Sequence, residues 1–396
     1  MAFPDDWNYY KEYEQPGTAD GELTDYQVDI TVEYVPGKML SDYGDVRFTL
    51  EDNTELDYHL VSYDASNALF VVKIPTLATT GITLRVWYGY SSAMTTSNPE
   101  QVYSSYDDFN DNEINTSLWT TSTPVGTITE SNGKLNIVIA AGQRAGMWTA
   151  AGSDKRAPII TQSVPSGDFK AKVKIEDGTV NANTQRGILL FLDRNNLYLF
   201  GHRHDGTRKI QVYKIVNNVG NDAIASVTSS TLPLWVQIRK EGSTYYFEYS
   251  TDDIGYTVLY STSSLGFTPS SIGLAATNWN PWNANSSSFN DFIARKTTAN
   301  PPGIGSWGEE KEIGVDLTGQ QLQGAGYINP VTLQNILELN PLEMEASINP
   351  LTVKRIIEMA ELEASAEINP MILQSLLKTS CTIKQPQSVK VKHKIS

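Results

Sequence analysis

Cysteine is almost missing from this chain: Cys381 is the single one among 396 residues, so no intramolecular disulfide can form. A lone cysteine of this kind reads as a small core residue rather than a nucleophile. No apolar run approaches the roughly 18 residues of a membrane span, which excludes an integral membrane protein built on helices. The first 380 or so residues hold no basic block, and the chain carries 45 acidic against 30 basic side chains, a formal net charge of −15. Recognition of a phosphate backbone needs clustered Lys and Arg, so nucleic acid is not an expected partner. The opening MAFPDDWNYYKEYE has neither a basic nor an apolar leader stretch. The expected location is a virion or an extracellular surface, reached without a conventional signal peptide.

Period-two alternation of apolar and polar residues is what the chain does have. From about Tyr26 to Tyr90 it recurs in Tyr26–Val32, Val46–Leu50, Leu69–Ile74 and Ile82–Tyr88, which predicts an all-β domain over 1–105. A Ser/Thr-rich stretch, Tyr90 to Glu100, leads to a second region, 106–296, with about a dozen short strands punctuated by turns. No helical period intervenes, and the pattern predicts a β-sandwich or jelly roll. Residues 297–326 read as a Pro/Gly linker, with ANPPGIGSWG inside it, and a strand.

Beyond Tyr327 the composition changes. Ile-Asn-Pro recurs at Ile328, Ile348 and Ile368, 20 residues apart each time, followed by VTLQNIL, LTVKRII and MILQSLL. Asn at the N-cap and Pro at the first helical position open a helix of about two turns. Alternating segments such as Leu342–Ile348 read as strands between the helices. A 20-residue period marks a repeat that must stack on neighbours to bury its apolar faces. Residues 327–396, ending in the basic tail Val389–Ile395, are therefore expected to form a small α+β repeat module. Its expected role is assembly: homo-oligomerisation, or docking onto other virion or surface proteins. A cap packed on the sandwich is the simpler alternative.

Two resemblances attach to these patterns. Trp7 with Tyr9 and Tyr10, LTDYQVDITV, Asp45–Phe48, LFVVKIPTL and VWYGYSSA resemble a domain of unknown function found upstream of concanavalin A-like modules in surface and tailed-virus proteins. YDDF at Tyr106 paired with FNDF at Phe289, LWVQIRKEGSTYYFEYSTDDIGYTVLYS and SIGLAA resemble the concanavalin A-like lectin/glucanase superfamily, in the branch at the C-terminus of some xylosidases. Where that branch has a Gly and a Trp after the strand, this chain has Asp253 and Tyr256. The superfamily includes enzymes, lectins and inert modules, so the resemblance implies a jelly roll and not an activity.

A glucanase of this kind needs two carboxylates flanking the sugar, arranged as Glu-x-Asp-x-x-Glu on one strand. Glu113, Glu130, Glu176, Glu241 and Glu248 are the glutamates of 106–296, and none forms that motif; Asp252 and Asp253 fit ordinary turn chemistry. His202 and His204 in GHRHDG, with Asp205 beside them, have the spacing of two metal ligands on one strand face, although a hairpin end explains them equally. Asp107, Asp108 and Asp291 lie on terminal strands that pair in the resembled fold and suggest a structural calcium; otherwise they anchor Phe109 and Phe292 in the core. The best ligand candidate is Asn278-Trp-Asn-Pro-Trp-Asn-Ala-Asn285. There Trp279 and Trp282 offer aromatic platforms, and Asn278, Asn280 and Asn283 offer amides to a sugar's hydroxyls. Trp148 beside Arg144, and Tyr198 with Arg203, are weaker candidates.

The expected function is a non-enzymatic adhesin, a tail-fibre, spike or decoration component that binds host-surface glycans. The alternatives are a cell-surface glycan-processing hydrolase and a purely structural virion protein.

Overall fold

The computed structural model describes residues 4, 6–147, 155–176, 182–280 and 282–313. The Ile-Asn-Pro repeats, the basic tail and Trp148 lie outside them. The described chain is almost entirely strand. β1 (Tyr9–Gln15), β2 (Leu23–Glu33), β3 (Arg47–Thr49), β4 (Tyr58–Tyr63), β5 (Asn67–Leu77) and β6 (Ile82–Tyr88) precede a single turn of helix, α1 (Pro99–Val102). There follow β7 (Ser105–Asp107), β8 (Thr120–Ser122), β9 (Thr127–Glu130), β10 (Leu135–Ile139), β11 (Ile159–Ser163), β12 (Phe169–Ile175), β13 (Thr184–Asp193) and β14 (Asn196–His204). The series ends with β15 (Arg208–Val216), β16 (Val219–Thr228), β17 (Leu234–Glu241), β18 (Thr244–Ser250), β19 (Thr257–Thr262), β20 (Ser271–Asn278), β21 (Asn285–Lys296) and β22 (Ser306–Glu312). No helix among the described residues is long and apolar enough to cross a membrane.

The amino-terminal sandwich packs the sheet β22-β1-β6-β3 on the sheet β2-β5-β4. Val28, Ile30 and Val32 of β2, at alternate positions, share one buried cluster with Phe48, Phe70, Tyr43 and Tyr58, and the rings meet edge-on, as with Phe48 and Phe70 at 5.1 Å. That geometry sets the positive ring edge against a negative face.

Strand β22 belongs to this sandwich although it follows the jelly roll in sequence. It pairs antiparallel with β1, Tyr13 opposite Trp307, with the two rings 4.8 Å apart. Gly305 donates its N–H to the Tyr13 hydroxyl at 2.9 Å, and any β-carbon there would fall 2.6 Å from the Tyr13 ring, which is why glycine occupies the entry. The Pro/Gly segment before it is fastened to the sandwich: Asn300 donates backbone and amide N–H groups to Asp20 at 2.6 and 2.7 Å, and Gln15 donates to Gly303 O at 3.0 Å. The Ser/Thr-rich stretch after β6 is also held down. Asn98 N–H reaches Tyr58 O at 2.9 Å, and Leu60 N–H reaches Ser97 Oγ at 2.9 Å.

The jelly roll packs the sheet β19-β18-β17-β12-β21-β10-β9, with β7 on β21, against the sheet β16-β15-β14-β13-β20-β11-β8. β12 shows the alternation directly: Phe169, Ala171, Val173 and Ile175 point inward, and Lys170, Lys172 and Lys174 point outward. Facing them, β13 is buried along both faces from Thr184 to Leu190. A second apolar layer of Met147, Ala157, Leu189, Leu199 and Tyr213 covers its outer side, so its run reads GILLF rather than alternating.

The two sandwiches meet along β2, β5 and β21. Arg295 pairs with Asp29 and donates to Gln27 O, both at 2.7 Å. The buried Gln27 amide accepts from Lys296 N–H and donates to Val102 O, both at 2.9 Å. Val71, Val102 and Tyr103 form an apolar patch against Tyr106 and Ile293, and His59 Nδ1 lies 3.0 Å from the Tyr103 hydroxyl.

Candidate ligand-binding surfaces

The tryptophan loop joins β20 to β21 and so crosses from one sheet of the jelly roll to the other. Asn278 is fully buried. Its amide donates to Asn283 O at 2.8 Å and accepts from Asn280 N–H at 3.1 Å, so the turn uses this side chain and a ligand cannot reach it. Asn280 accepts from Trp282 N–H at 3.1 Å and is likewise part of the loop's bracing. Trp279 is half-buried, and the Arg203 guanidinium lies 4.7 Å from its ring centroid, which occupies one face by cation–π contact. Arg203 is steadied by Asp205 at 3.2 Å. Partial burial pushes the Asp205 carboxyl up, but Lys209 and Arg203 outweigh it and hold the group below its ordinary value. Trp282, in contrast, is 85% exposed, with Asn283 exposed beside it. The two tryptophans therefore have different roles: Trp279 buttresses, and Trp282 is presented.

In GHRHDG the strand alternation puts His202 and His204 on one face and Arg203 on the other. His202 is buried, and Asp205 turns to Arg203 and Lys209. Among the described residues no three acidic or histidine side chains gather as a metal cluster.

Asp107 spends both carboxylate oxygens inside the fold, accepting from Phe109 N–H at 2.9 Å and Trp119 Nε1 at 2.7 Å; burial raises its pKa. Asp108 accepts from Asn110 N–H at 3.2 Å. Asp291 is half-buried at a positive φ of 53°; burial raises its pKa, and Lys174 and Lys172 oppose that. The two Asp-Phe motifs do anchor the core, because Phe109 and Phe292 are fully buried and Trp119 packs between them at 6.2 and 5.1 Å.

A further surface was not singled out from the sequence, although its signal is there in the spacing KAKVK. The outward face of β12, β17, β18 and β21 carries cross-strand rows of charge. The register places Arg295, Lys170, Arg239 and Tyr246 in one row, and Lys172, Gln237 and Glu248 in the next. Arg239 grips Glu248 at 2.7 Å, which also accepts from Gln237 at 2.7 Å, and its guanidinium lies 4.0 Å from the Tyr246 ring centroid. Lys172 pairs with Asp253 at 2.5 Å, and the Tyr256 hydroxyl donates to the same carboxylate. Thus the two residues that depart from the xylosidase-type pattern, Asp253 and Tyr256, form a local hydrogen bond. Lys174 pairs with Glu176 at 2.7 Å and lies 5.2 Å from the Trp235 ring centroid. Lys170 is half-buried; burial first, then Arg295, pushes its amine down to about 8.

Glycoside hydrolysis needs one carboxyl kept protonated and a second left free to attack or to activate water. On this face Glu248 and Asp253 are each held by a cation and a second donor. Glu130, whose carboxyl is raised to about 8, sits on β9 at the far edge of the same sheet.

Two β-sandwiches, the second with jelly-roll sheets of seven and eight strands, make up the described chain. A family model described as a domain of unknown function, DUF2341, matches residues 42–122. The β-xylosidase C-terminal concanavalin A-like domain matches residues 106–293. The chain thus carries a DUF2341 domain followed by a concanavalin A-like domain of this type. Among solved structures, the GH43 protein BlXynB of Bacillus licheniformis is 15% identical with a TM-score of 0.42, over 64% of this chain and 53% of that one. A xylan β-1,4-xylosidase of Bacillus halodurans is 11% identical with a TM-score of 0.40, over 63% and 52%. A functionally unknown protein of Saccharomyces cerevisiae is 14% identical with a TM-score of 0.38, over 46% and 97%. The chain spans about half the length of the two bacterial structures. No curated protein matches the sequence.

Proposed function

We propose that the protein is a non-enzymatic glycan-binding component of a surface assembly, a virion or a cell envelope, with the jelly roll as its contact domain. The observation that carries this reading is Trp282: a large ring, 85% exposed, on a loop braced by Asn278 and Asn280. An indole held in water on a built loop is a platform for the apolar face of a sugar, and Asn283 beside it supplies an amide for the hydroxyls. The repeats at 327–396 are proposed to assemble the protein with copies of itself or with neighbouring surface proteins.

A glycan array probed with the full chain and with Trp282→Ala tests this. The expected result is binding that falls by at least tenfold in the variant, with thermal stability unchanged. Equal binding by both proteins removes the loop from the function. A hydrolase reading is favoured by the xylosidase-type domain match; release of reducing sugar from xylan or arabinan that is lost in Glu248→Gln would establish it in place of the adhesin.

A further inference from the structure

One cation on the outward face of the jelly roll lacks a counter-charge. The register sets Arg295 of β21, Lys170 of β12 and Arg239 of β17 directly opposite one another, in a single row across three adjacent strands. Like charges so placed repel, with β-carbons about 5 Å apart, and each needs a compensating group. Both arginines have theirs: Arg295 holds Asp29 at 2.7 Å, and Arg239 holds Glu248 at 2.7 Å with Glu241 on its other nitrogen. In the rows beside it, Lys172 takes Asp253 at 2.5 Å and Lys174 takes Glu176 at 2.7 Å. The Lys170 amine, between the two guanidinium groups, has no hydrogen-bond or ion-pair acceptor among the described residues.

A second observation lies on the facing strand. Arg295 donates through Nη1 to Asp29 and through Nη2 to Gln27 O, both at 2.7 Å, but its Nε–H is buried and meets no acceptor. A buried donor left open costs free energy and asks for a partner. Two open donors, a mobile amine and a fixed N–H, therefore stand on directly paired residues.

We propose that Lys170 and Arg295 Nε form a carboxylate-binding slot, and that its ligand is a uronic-acid unit of an acidic glycan. The four-carbon stem of Lys170 is flexible, so the amine swings aside to admit the carboxylate and then closes on it. One unmatched cation calls for one negative charge, and two donors on adjacent strands suit the two oxygens of a carboxylate. The row runs on to Tyr246 and Ser261, two and three strands from Lys170, which is about 10 and 14 Å at the spacing of a sheet. Hydroxyls at that span suit an oligosaccharide, whereas a small anion fills the slot alone. The choice of a sugar over an acidic peptide rests on the glycan-binding reading above. The slot itself does not, and Arg295 stands near the far end of β21 from the tryptophan loop.

The test is trace acetylation of the full chain with acetic anhydride, near that amine's own pKa of about 8, read at each lysine by peptide mass spectrometry. An oligogalacturonide is expected to lower labelling of Lys170 by about tenfold, as one charge-assisted hydrogen bond implies, and a neutral cello-oligosaccharide to leave it unchanged. By calorimetry, Lys170→Gln is expected to lose affinity for the oligogalacturonide by about tenfold while its unfolding midpoint stays that of the parent. Equal protection by chloride or acetate at matched ionic strength would mean an adventitious ion only, and protection by poly-glutamate alone would mean a protein ligand. Either result overturns the proposal, as does labelling that no anion alters. Glycan binding that needs Trp282 but leaves Lys170 unprotected defeats the slot and spares the loop; protection of Lys170 that persists in Trp282→Ala, with binding undiminished, supports the slot and defeats the loop.

Discussion

The jelly roll keeps its whole sheet order within one uninterrupted stretch, from β7 to β21, whereas the amino-terminal sandwich takes β22 from beyond it. One domain is therefore inserted in the other, between β6 and β22. The difference shows where strand pairing, rather than chain order, defines a domain. Both ends of the insert lie together because β7 pairs with β21, so the host sandwich resumes with a connection of a few residues instead of a long crossing. The jelly roll's core is aliphatic and aromatic, with Phe247, Phe200, Phe289 and Phe292 wholly buried. The smaller sandwich leans more on tyrosines whose hydroxyls need partners, and two of those partners, Gly305 and Glu310, come with β22.

The largest effect should come from breaking that dependence. A chain ending at Thr298 loses β22, the Trp307 ring on Tyr13 and the Lys38–Glu310 pair, whereas one ending after Ile313 keeps them. Exposing Tyr13 and Tyr88 and cutting the β1–β22 ladder should cost on the order of 5 kcal/mol. Calorimetry should show the amino-terminal transition lost or far lower in the shorter chain only. If the two chains melt alike, β22 is not part of the sandwich. For the same reason, any measurement of what the repeats do to oligomeric state has to use the cut after Ile313. With that cut, an oligomeric full chain and a monomeric truncation are expected by light scattering.

Phe247→Ala should cost about 3–5 kcal/mol, confined to the jelly-roll transition, because its neighbours Tyr198, Phe200 and Tyr260 all belong to that domain. A comparable drop in the amino-terminal transition would mean that the two cores unfold as one unit.

The seam between the sandwiches should respond to acid. Burial of His59, only partly offset by Asp108, holds its folded pKa down to about 4, against an ordinary imidazole value of about 6.5. Between those values the unfolded chain takes up a proton that the folded chain does not. Stability is therefore intact above about 6.5 and is lost as pH falls toward 4, by about 2–3 kcal/mol allowing for partial solvent screening. In urea unfolding at pH 7 and pH 4, His59→Gln should show a smaller difference than the parent; an unchanged difference assigns the acid sensitivity elsewhere. Arg295→Gln should loosen the same seam by about 1 kcal/mol, since Asp29 is half exposed and such pairs are worth little. Hydrogen exchange at Gln27 and Val102 would report it.

Much of this was legible from alternation alone. The strands Leu69–Ile74, Phe169–Ile175, Leu234–Arg239 and Ile272–Ala276 follow from period two and turn residues, and the burial of Phe109 and Phe292 follows from the paired Asp-Phe motifs. The segment ANPPGIGSWG reads as a linker because Pro and Gly punctuate it; its attachment to Asp20 and Gln15 depends on residues nearly 300 positions away. The tryptophan loop reads as irregular from its Asn and Pro content, yet which ring is stacked under Arg203 and which stands in water is not legible there, since the two lie three residues apart in the same composition. The charged rows on β12, β17 and β21 were missed because each strand alone shows only ordinary solvated lysines and arginines.

Sequence by itself determined the elements here: which segments are strands, which side of each is apolar, and that a repeat of different composition follows. Side-chain alternation and turn chemistry act over a few residues and leave their mark locally. Tertiary structure decided the partners: β22 with β1, Lys170 between Arg295 and Arg239, Gln237 between Lys172 and Glu248. Each of those contacts is fixed by sheet register between segments far apart in the chain, and register is set by the burial of both sheets at once, which no single segment encodes.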